Sequence, residues 1–331
     1  MEAGASEKRA FHEGSVDPYM LQRWYPYLKP FTAETKLLPL SRETAQAMLK
    51  GCERRRKKGN TTEEHERLLA VLLTDMQALM TEPCFAKLSA RSCKDSILRS
   101  QHFKRVLSEQ TKDLGAESTP NDYLTAYVRA QCFAMRRDKA EDVLEDMLES
   151  RRIYEDLTLA TLEKDFSLDI VFRKWDLALV PEYEIRVFIN DSKVCAMSQY
   201  YSSVYVPRLH LQKHEIEARV LKFLEGVVKV VPLTNYVVDV GMSENDTLSI
   251  VELNPPAPRS GPSLFTWNYG EGKSGDNEIL LGRRPFEFRV LTAPKDNLVE
   301  ERSQTFDHLK ILLGKEFDTS DATTSEKCVI V

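Results

Sequence analysis

The six cysteines of this 331-residue sequence (Cys52, Cys84, Cys93, Cys132, Cys195 and Cys328) are scattered, and none forms a Cys-x-x-Cys pair. That spacing argues against a zinc ribbon or a disulfide scaffold and fits a reducing compartment. An excess of positive charge is also missing: 46 lysines and arginines stand against 51 acidic residues, a net charge of −5. Wrapping nucleic acid therefore has no electrostatic basis. No apolar run approaches the ~20 residues of a bilayer span; even 220–233 is interrupted by Lys222, Glu225 and Lys229. The opening MEAGASEKRAFHEG has no apolar signal-peptide core, which together with the thiol pattern predicts a cytoplasmic protein. A Walker phosphate loop, a Gly-x-Gly-x-x-Gly turn, a Gly-x-Ser-x-Gly elbow and a His-Glu-x-x-His helix are all lacking, as are internal repeats.

What is present describes an ordinary globular chain, 42% hydrophobic and 29% charged, long enough for one large or two medium domains. Residues 1–17 are small and polar and are expected to be disordered. LQRWYPYLKPF (21–31) gathers Trp24, Tyr25, Tyr27 and Phe31, either to pack the segment on a core or to form an aromatic docking patch. A strand is expected over 35–39 and a helix from Ser41 to Met48, running into five basic residues, Arg54–Lys58. That run reads as a solvated loop flank or a nucleic-acid patch. Leu68, Leu69, Leu72, Met76, Leu79 and Met80 predict a helix over 62–80. A helix follows over 119–135, and one or two exposed helices over 139–162. The pattern then turns to strands at 168–175, 183–189 and 193–199, a helix at 212–231, a hairpin at 236–253, and a proline-rich loop at 254–263. A strand at 285–291 and a helix at 303–313 close the list.

The chemistry concentrates in NYVVDVGMSENDTLSIVELN (235–254). Side chains alternate along a strand, so Glu252 and Asn254 share a face, and a hairpin would bring Asp239 beside them. Such oxygens suit a hard cation such as Mg2+ bridging phosphates. They equally suit the solvated face of a plain hairpin, and short acidic patterns recur by chance. Lys87, in CFAKLSARSCKDSI (84–97), is either a phosphate lysine or an edge lysine with a snorkelling stem. His210 and His214 have metal-ligand spacing without a third ligand, and otherwise mark a surface helix start. Cys328-Val329-Ile330-Val331 has the form of a prenylation signal or is a frayed tail; the residues upstream are acidic rather than polybasic.

Taken in order, several segments resemble the cell division cycle protein 123 family. WYPYLKPFTAETKLLPL (24–40) is similar to its Trp-Tyr-Pro-aromatic opening. CFAKLSARSCKDS (84–96) keeps Lys87, Leu88, Ser89 and Asp95 of its F-P-K-L-N-W-S-x-P-x-D-A segment. Arg173-Lys174-Trp175, Glu184-x-Arg186, Ser198-Gln199 and Glu252-x-Asn254-Pro255 follow in register, and the matching blocks span most of 21–291. The resemblance implies an α+β, ATP-grasp fold in which two lobes, 18–165 and 166–314, clasp Mg–ATP, with 315–331 a flexible tail. It implies that Lys87 reaches the phosphates and that Arg173, Lys174 and Trp175 lie beside the nucleotide. Glu184 and Arg186 would line the cleft, while Asp239, Glu252 and Asn254 hold Mg2+. Glu252 replaces the family's usual aspartate, keeping the charge and adding one methylene. The implied activity is that of an assembly chaperone for eukaryotic translation initiation factor 2, acting on its gamma subunit, with a role in cell-cycle progression. A second expectation is an ATP-grasp ligase or phosphotransferase. No direct nucleic-acid contact is expected, a membrane contact only through Cys328, and the chain is expected to be a monomer. Two departures stand out. The family's S-Q-R-D-Y becomes Ser198-Gln199-Tyr200-Tyr201-Ser202, and its acidic G-E-V-x-D becomes 257–261, Ala-Pro-Arg-Ser-Gly. Residues implied for nucleotide binding are thus better kept than those beyond the phosphates.

Overall fold

A computed structural model describes residues 17–256, 259–267 and 275–294. The chain runs α1 (Leu21–Leu28), β1 (Thr35–Pro39), α2 (Arg42–Arg55), α3 (Glu63–Leu79), β2 (Cys84–Leu88), α4 (Lys94–Ile97), α5 (Gln101–Thr111) and α6 (Pro120–Phe133). It continues β3 (Arg136–Arg137), α7 (Ala140–Glu149), α8 (Arg151–Leu162), β4 (Asp169–Lys174), β5 (Leu179–Asn190) and β6 (Lys193–Gln199). The remaining elements are α9 (Pro207–Leu211), α10 (Lys213–Val230), β7 (Tyr236–Ser243), β8 (Leu248–Asn254), α11 (Gly275–Leu280) and β9 (Glu287–Arg289). This is a mixed α+β architecture with one sheet in each of two compact units. The first unit falls within Met1–Lys29, Ala33–Ser100 and Ala134–Trp175, the second within Pro30–Thr32, Gln101–Phe133 and Asp176–Val331. Both are discontinuous: 101–133 pack with the second unit and 166–175 with the first, where the sequence drew one break after Asp165.

The first unit carries a four-stranded antiparallel sheet in the order β1-β4-β2-β3. Its helices start where the sequence supplies caps. Ser41 Oγ accepts the Thr44 N–H at the head of α2, and Thr62 and His65 exchange hydrogen bonds as a capping box on α3. Leu69, Leu72 and Met76 line the buried stripe of α3. The aromatic opening packs inward: Leu21, Trp24, Tyr25 and Leu28 of α1 are buried, and Tyr25 Oη accepts the Thr35 N–H. A docking patch is therefore not what these rings form; Tyr27 alone is exposed, at 49%.

The basic run differs from both of its expected roles. α2 continues to Arg55, which makes Arg54 and Arg55 its last turn, where cations complement the helix dipole. Arg54 pairs with Glu66 at 2.5 Å, Arg55 with Glu145 and Glu149, and Arg56 lies over the Tyr154 ring while donating to the Cys52 carbonyl. Lys57 then takes a positive φ of 55° and ends the element. Three of the five cations are consumed inside the unit.

The second unit carries a five-stranded sheet, β8-β7-β5-β6-β9, antiparallel except for the β6–β9 pair. β5 begins at Leu179, earlier than its expected start at Tyr183, and β9 is shorter than the expected 285–291. α5 was not foreseen; Phe103, Leu107 and Thr111 form its buried side. On one face of the sheet, Phe188, Ala196 and Val237 pack with Phe265, Ile279 and Leu280. α10 buries Ile216, Val220, Leu224 and Val227. Phe31 meets the Phe223 ring edge-on at 5.8 Å and sits over Gly226, where an added Cβ would lie 3.1 Å from the ring. Among the described residues no helix is long and apolar enough to cross a membrane. The expected helix at 303–313 and the Cys328 tail lie outside the described residues.

Candidate functional site

Three strands build the site by register alone. β5 sets Arg186 opposite Asp239 of β7, and β7 sets Asp239 opposite Glu252 of β8 and Val237 opposite Asn254. Residues directly opposite in antiparallel strands share a face, so Arg186, Asp239 and Glu252 make one row across the sheet. Asn254 lies on the same face, two residues along. A register shift falls between Asp239 and Val240, the kind of bulge that re-aims side chains next to functional sites.

The row is knitted by charge-assisted hydrogen bonds. Arg186 Nε donates to Asp239 Oδ1 at 2.8 Å and Nη2 to Oδ2 at 2.9 Å. The third donor direction, Nη1, reaches the Gly261 carbonyl at 2.8 Å, and the Tyr200 ring covers the guanidinium at 4.7 Å. Asn254 Nδ2 also donates to Asp239 Oδ2, at 2.8 Å. Asp239 is 2% exposed. Burial pushes its carboxyl above the ordinary value, against the pull of Arg186. Three N–H donors on an acceptor-only carboxylate, two of them from one bidentate guanidinium, hold it ionised. Burial works against the charge on Arg186 too, and Asp239 outweighs it, so the guanidinium is raised further above its ordinary value.

The phenols and the thiol near the row stay neutral. Burial first, then Glu184, raises the phenols of Tyr200 and Tyr201. Burial, then Glu184 and Glu182, pushes the Cys132 thiol up to about 12, which removes it as a nucleophile. Glu182 is paired with Arg129 of α6. Glu184 is on the strand of Arg186, two residues before it, and its carbonyl accepts the Tyr200 N–H at 2.9 Å.

The other predicted residues lie in the first unit. Lys87 stands opposite Val171, and Arg173 stands opposite Phe85, so both project from one face of that sheet, one step apart. They are 3% and 7% exposed. Lys174, the next residue, projects from the opposite face and pairs with Glu82 at 3.1 Å while half-exposed. The Trp175 N–H donates to the Pro83 carbonyl just beyond the strand. His210 and His214 fall on different helices, α9 and α10, with Gln212 leaving helical geometry between them at φ −108° and ψ 25°. The one-turn spacing on a single helix is therefore broken. The Gly261 carbonyl was missed altogether, because a backbone oxygen leaves no sequence signal.

Among the described residues no three His, Cys, Asp or Glu side chains could hold a metal by themselves. The row nonetheless offers hard donors. Asp239 Oδ2 already accepts two N–H groups and Oδ1 one, leaving a lone pair on Oδ1. Asn254 must turn its NH2 to a carboxylate, so its amide oxygen is the atom it would offer a cation. Glu252 stands directly opposite Asp239. The set fits Mg2+ that completes its shell with ligand oxygens and water.

A family model described as D123 matches residues 118–312. A Xenopus laevis protein named translation initiation factor eIF2 assembly protein is 23% identical over 350 residues, covering 90% of this chain and 96% of that one. A Candida albicans protein of the same name is 32% identical over 114 residues, and that match spans 32% of each chain. The structure of Cdc123 from Schizosaccharomyces pombe superposes with a TM-score of 0.55 at 17% identity, over 82% of this chain and 95% of that one, which shows a shared fold. The D123 match covers more than half of the sequence and contains the whole Arg186–Asp239–Glu252–Asn254 row: the chain belongs to the D123 family.

Proposed function

We propose that this chain is an ATP-grasp-like, Mg–ATP-binding assembly chaperone that promotes assembly of eukaryotic translation initiation factor 2, engaging its gamma subunit. The assembly role is supported by family membership and by the relatives named as eIF2 assembly proteins. Cation and nucleotide binding rest on one observation: a buried Arg186–Asp239–Asn254 network beside Glu252, with hard oxygen donors left over.

In this reading Glu252, the Asn254 amide oxygen and the spare Asp239 Oδ1 lone pair hold Mg2+. When bound, Mg–ATP supplies a divalent charge and a polyanionic phosphate chain. Asp239 orients the Asn254 amide, and Arg186 fixes Asp239. Lys87 and Arg173, buried cations on one face of their own sheet, are the residues this reading assigns to phosphate oxygens, as the resemblance implies. Tyr200, Tyr201 and Cys132 stay neutral and add no competing charge.

Pull-down of the gamma subunit, with and without Mg–ATP, tests the chaperone role; absence of association in both conditions removes it. The same donors would also serve a ligase or phosphotransferase. Steady ADP release with a carboxylate or amine acceptor would move the assignment there.

A further inference from the structure

We propose that Arg186 is the resident counter-ion of Asp239 and makes cation uptake conditional on a polyphosphate anion. This rests on Asp239, Glu252 and Asn254 being the cation-holding set. Asp239 is 2% exposed, and a carboxylate at that depth needs a cation to remain ionised. Arg186 fills that need with two parallel N–H bonds to the two carboxylate oxygens. The Gly261 carbonyl and the Tyr200 ring that also touch Arg186 are neutral, and the charge of Glu184, two residues before it, adds to the pull of Asp239.

A divalent cation arriving alone would face the guanidinium across a single carboxylate. Glu252 opposite Asp239 and Glu184 two residues before Arg186 add negative charge, but the guanidinium engages both oxygens of Asp239, and its charge at that carboxylate opposes entry of a bare cation there. A cation arriving with a polyphosphate brings its own negative charge. The phosphate oxygens then give Arg186 a second acceptor, to which a planar, five-donor fork is well matched. The pairing thus selects the metal–anion complex over the bare metal and sets the order of binding, with no additional residue.

The test follows Mn2+ by electron paramagnetic resonance, with inorganic tripolyphosphate as the anion. Wild type should take up Mn2+ alone weakly and roughly ten-fold more tightly with tripolyphosphate, within the usual range of site–site coupling. Arg186→Gln should take up Mn2+ alone roughly ten-fold more tightly than wild type and lose most of the coupling. Equal uptake of Mn2+ alone by the two proteins, both with native circular dichroism, overturns the proposal. Should Arg186→Gln fail to fold, Arg186→Lys keeps the charge but surrenders the two-oxygen grip. A several-fold gain in Mn2+ uptake is then expected, and an unchanged value overturns the idea. Asp239→Asn should abolish uptake in every background. Titration with ATP separates the two claims. Normal nucleotide binding with Mn2+ uptake indifferent to Arg186 removes the counter-ion role alone. Uptake that responds to Arg186 while ATP has no effect removes the nucleotide reading alone.

Discussion

Arg186 and Asp239 meet edge to edge, Nε to Oδ1 at 2.8 Å and Nη2 to Oδ2 at 2.9 Å, although 53 residues separate them in sequence. Removing one member of a buried pair strands the other, which typically costs about 3–5 kcal/mol. Arg186→Ala should lower unfolding free energy by that order in urea titration. Arg186→Met with Asp239→Leu should recover most of the loss, because neither charge is then left alone.

Asn254 donates to Asp239 Oδ2, the oxygen that also accepts Arg186 Nη2. Asn254→Ala and Asp239→Ala should each weaken Mg–ATP binding by roughly 10–100-fold, as loss of ligands or of their supporting hydrogen bonds commonly does. Titration calorimetry on the folded variants measures this, and unchanged affinity would show that the row is not the cation site.

Asp95 gives a pH signature of a different kind. Burial raises its carboxyl, but Ser150 Oγ, at 2.5 Å, and the Arg151 and Arg152 N–H groups at the start of α8 outweigh burial and hold it below the ordinary value of 3.8. A depressed folded pKa contributes stability above the unfolded value, and that contribution disappears as pH falls through the folded value. Asp95→Asn should therefore be less stable than wild type at pH 7. The gap should close below about pH 3.8, as followed by thermal melts between pH 7 and pH 2.5.

Gly51 sits in α2 where an added Cβ would lie 2.9 Å from Leu148 Cδ2 and 3.6 Å from Leu69 Cδ1. The obstruction is the tip of a flexible side chain, so Gly51→Ala should be nearly neutral, helped by helix propensity. Gly51→Val should cost about 1–3 kcal/mol by overpacking, visible as a lower melting temperature.

The sequence showed most clearly what local periodicity encodes. Alternation in 236–253 revealed the hairpin and the shared face of Asp239, Glu252 and Asn254, and Thr62 with the leucines after it announced α3. Contacts made across long separations left no such trace. Arg186 looked like a cleft-lining residue, and nothing nearby signalled that Asp239, Gly261 and the Tyr200 ring would enclose it. The basic run looked loose because its acidic partners Glu145 and Glu149 lie some ninety residues on. His210 and His214 carried two readings; His214 does stand exposed at a helix start, that of α10, and the break at Gln212 that parts the pair does not alter sequence distance. α5 went unseen because Phe103 and Leu107 are too few to stand out among polar neighbours.

The interleaving of segments has a consequence during synthesis on the ribosome. β4 is flanked by β1 and β2 in its sheet, so until residues 169–174 emerge β1 waits without a strand partner and β2 has only the two-residue β3 beside it. The delay after β1 is about 130 residues, on the order of ten seconds at ~5–20 residues per second. Phe31 waits longer still for Phe223. No contiguous fragment contains either unit whole. A cut at 165/166 would leave the first sheet without its central strand and expose two bare edges to intermolecular pairing. Nascent chains stalled before Arg173 should therefore depend on holdase chaperones.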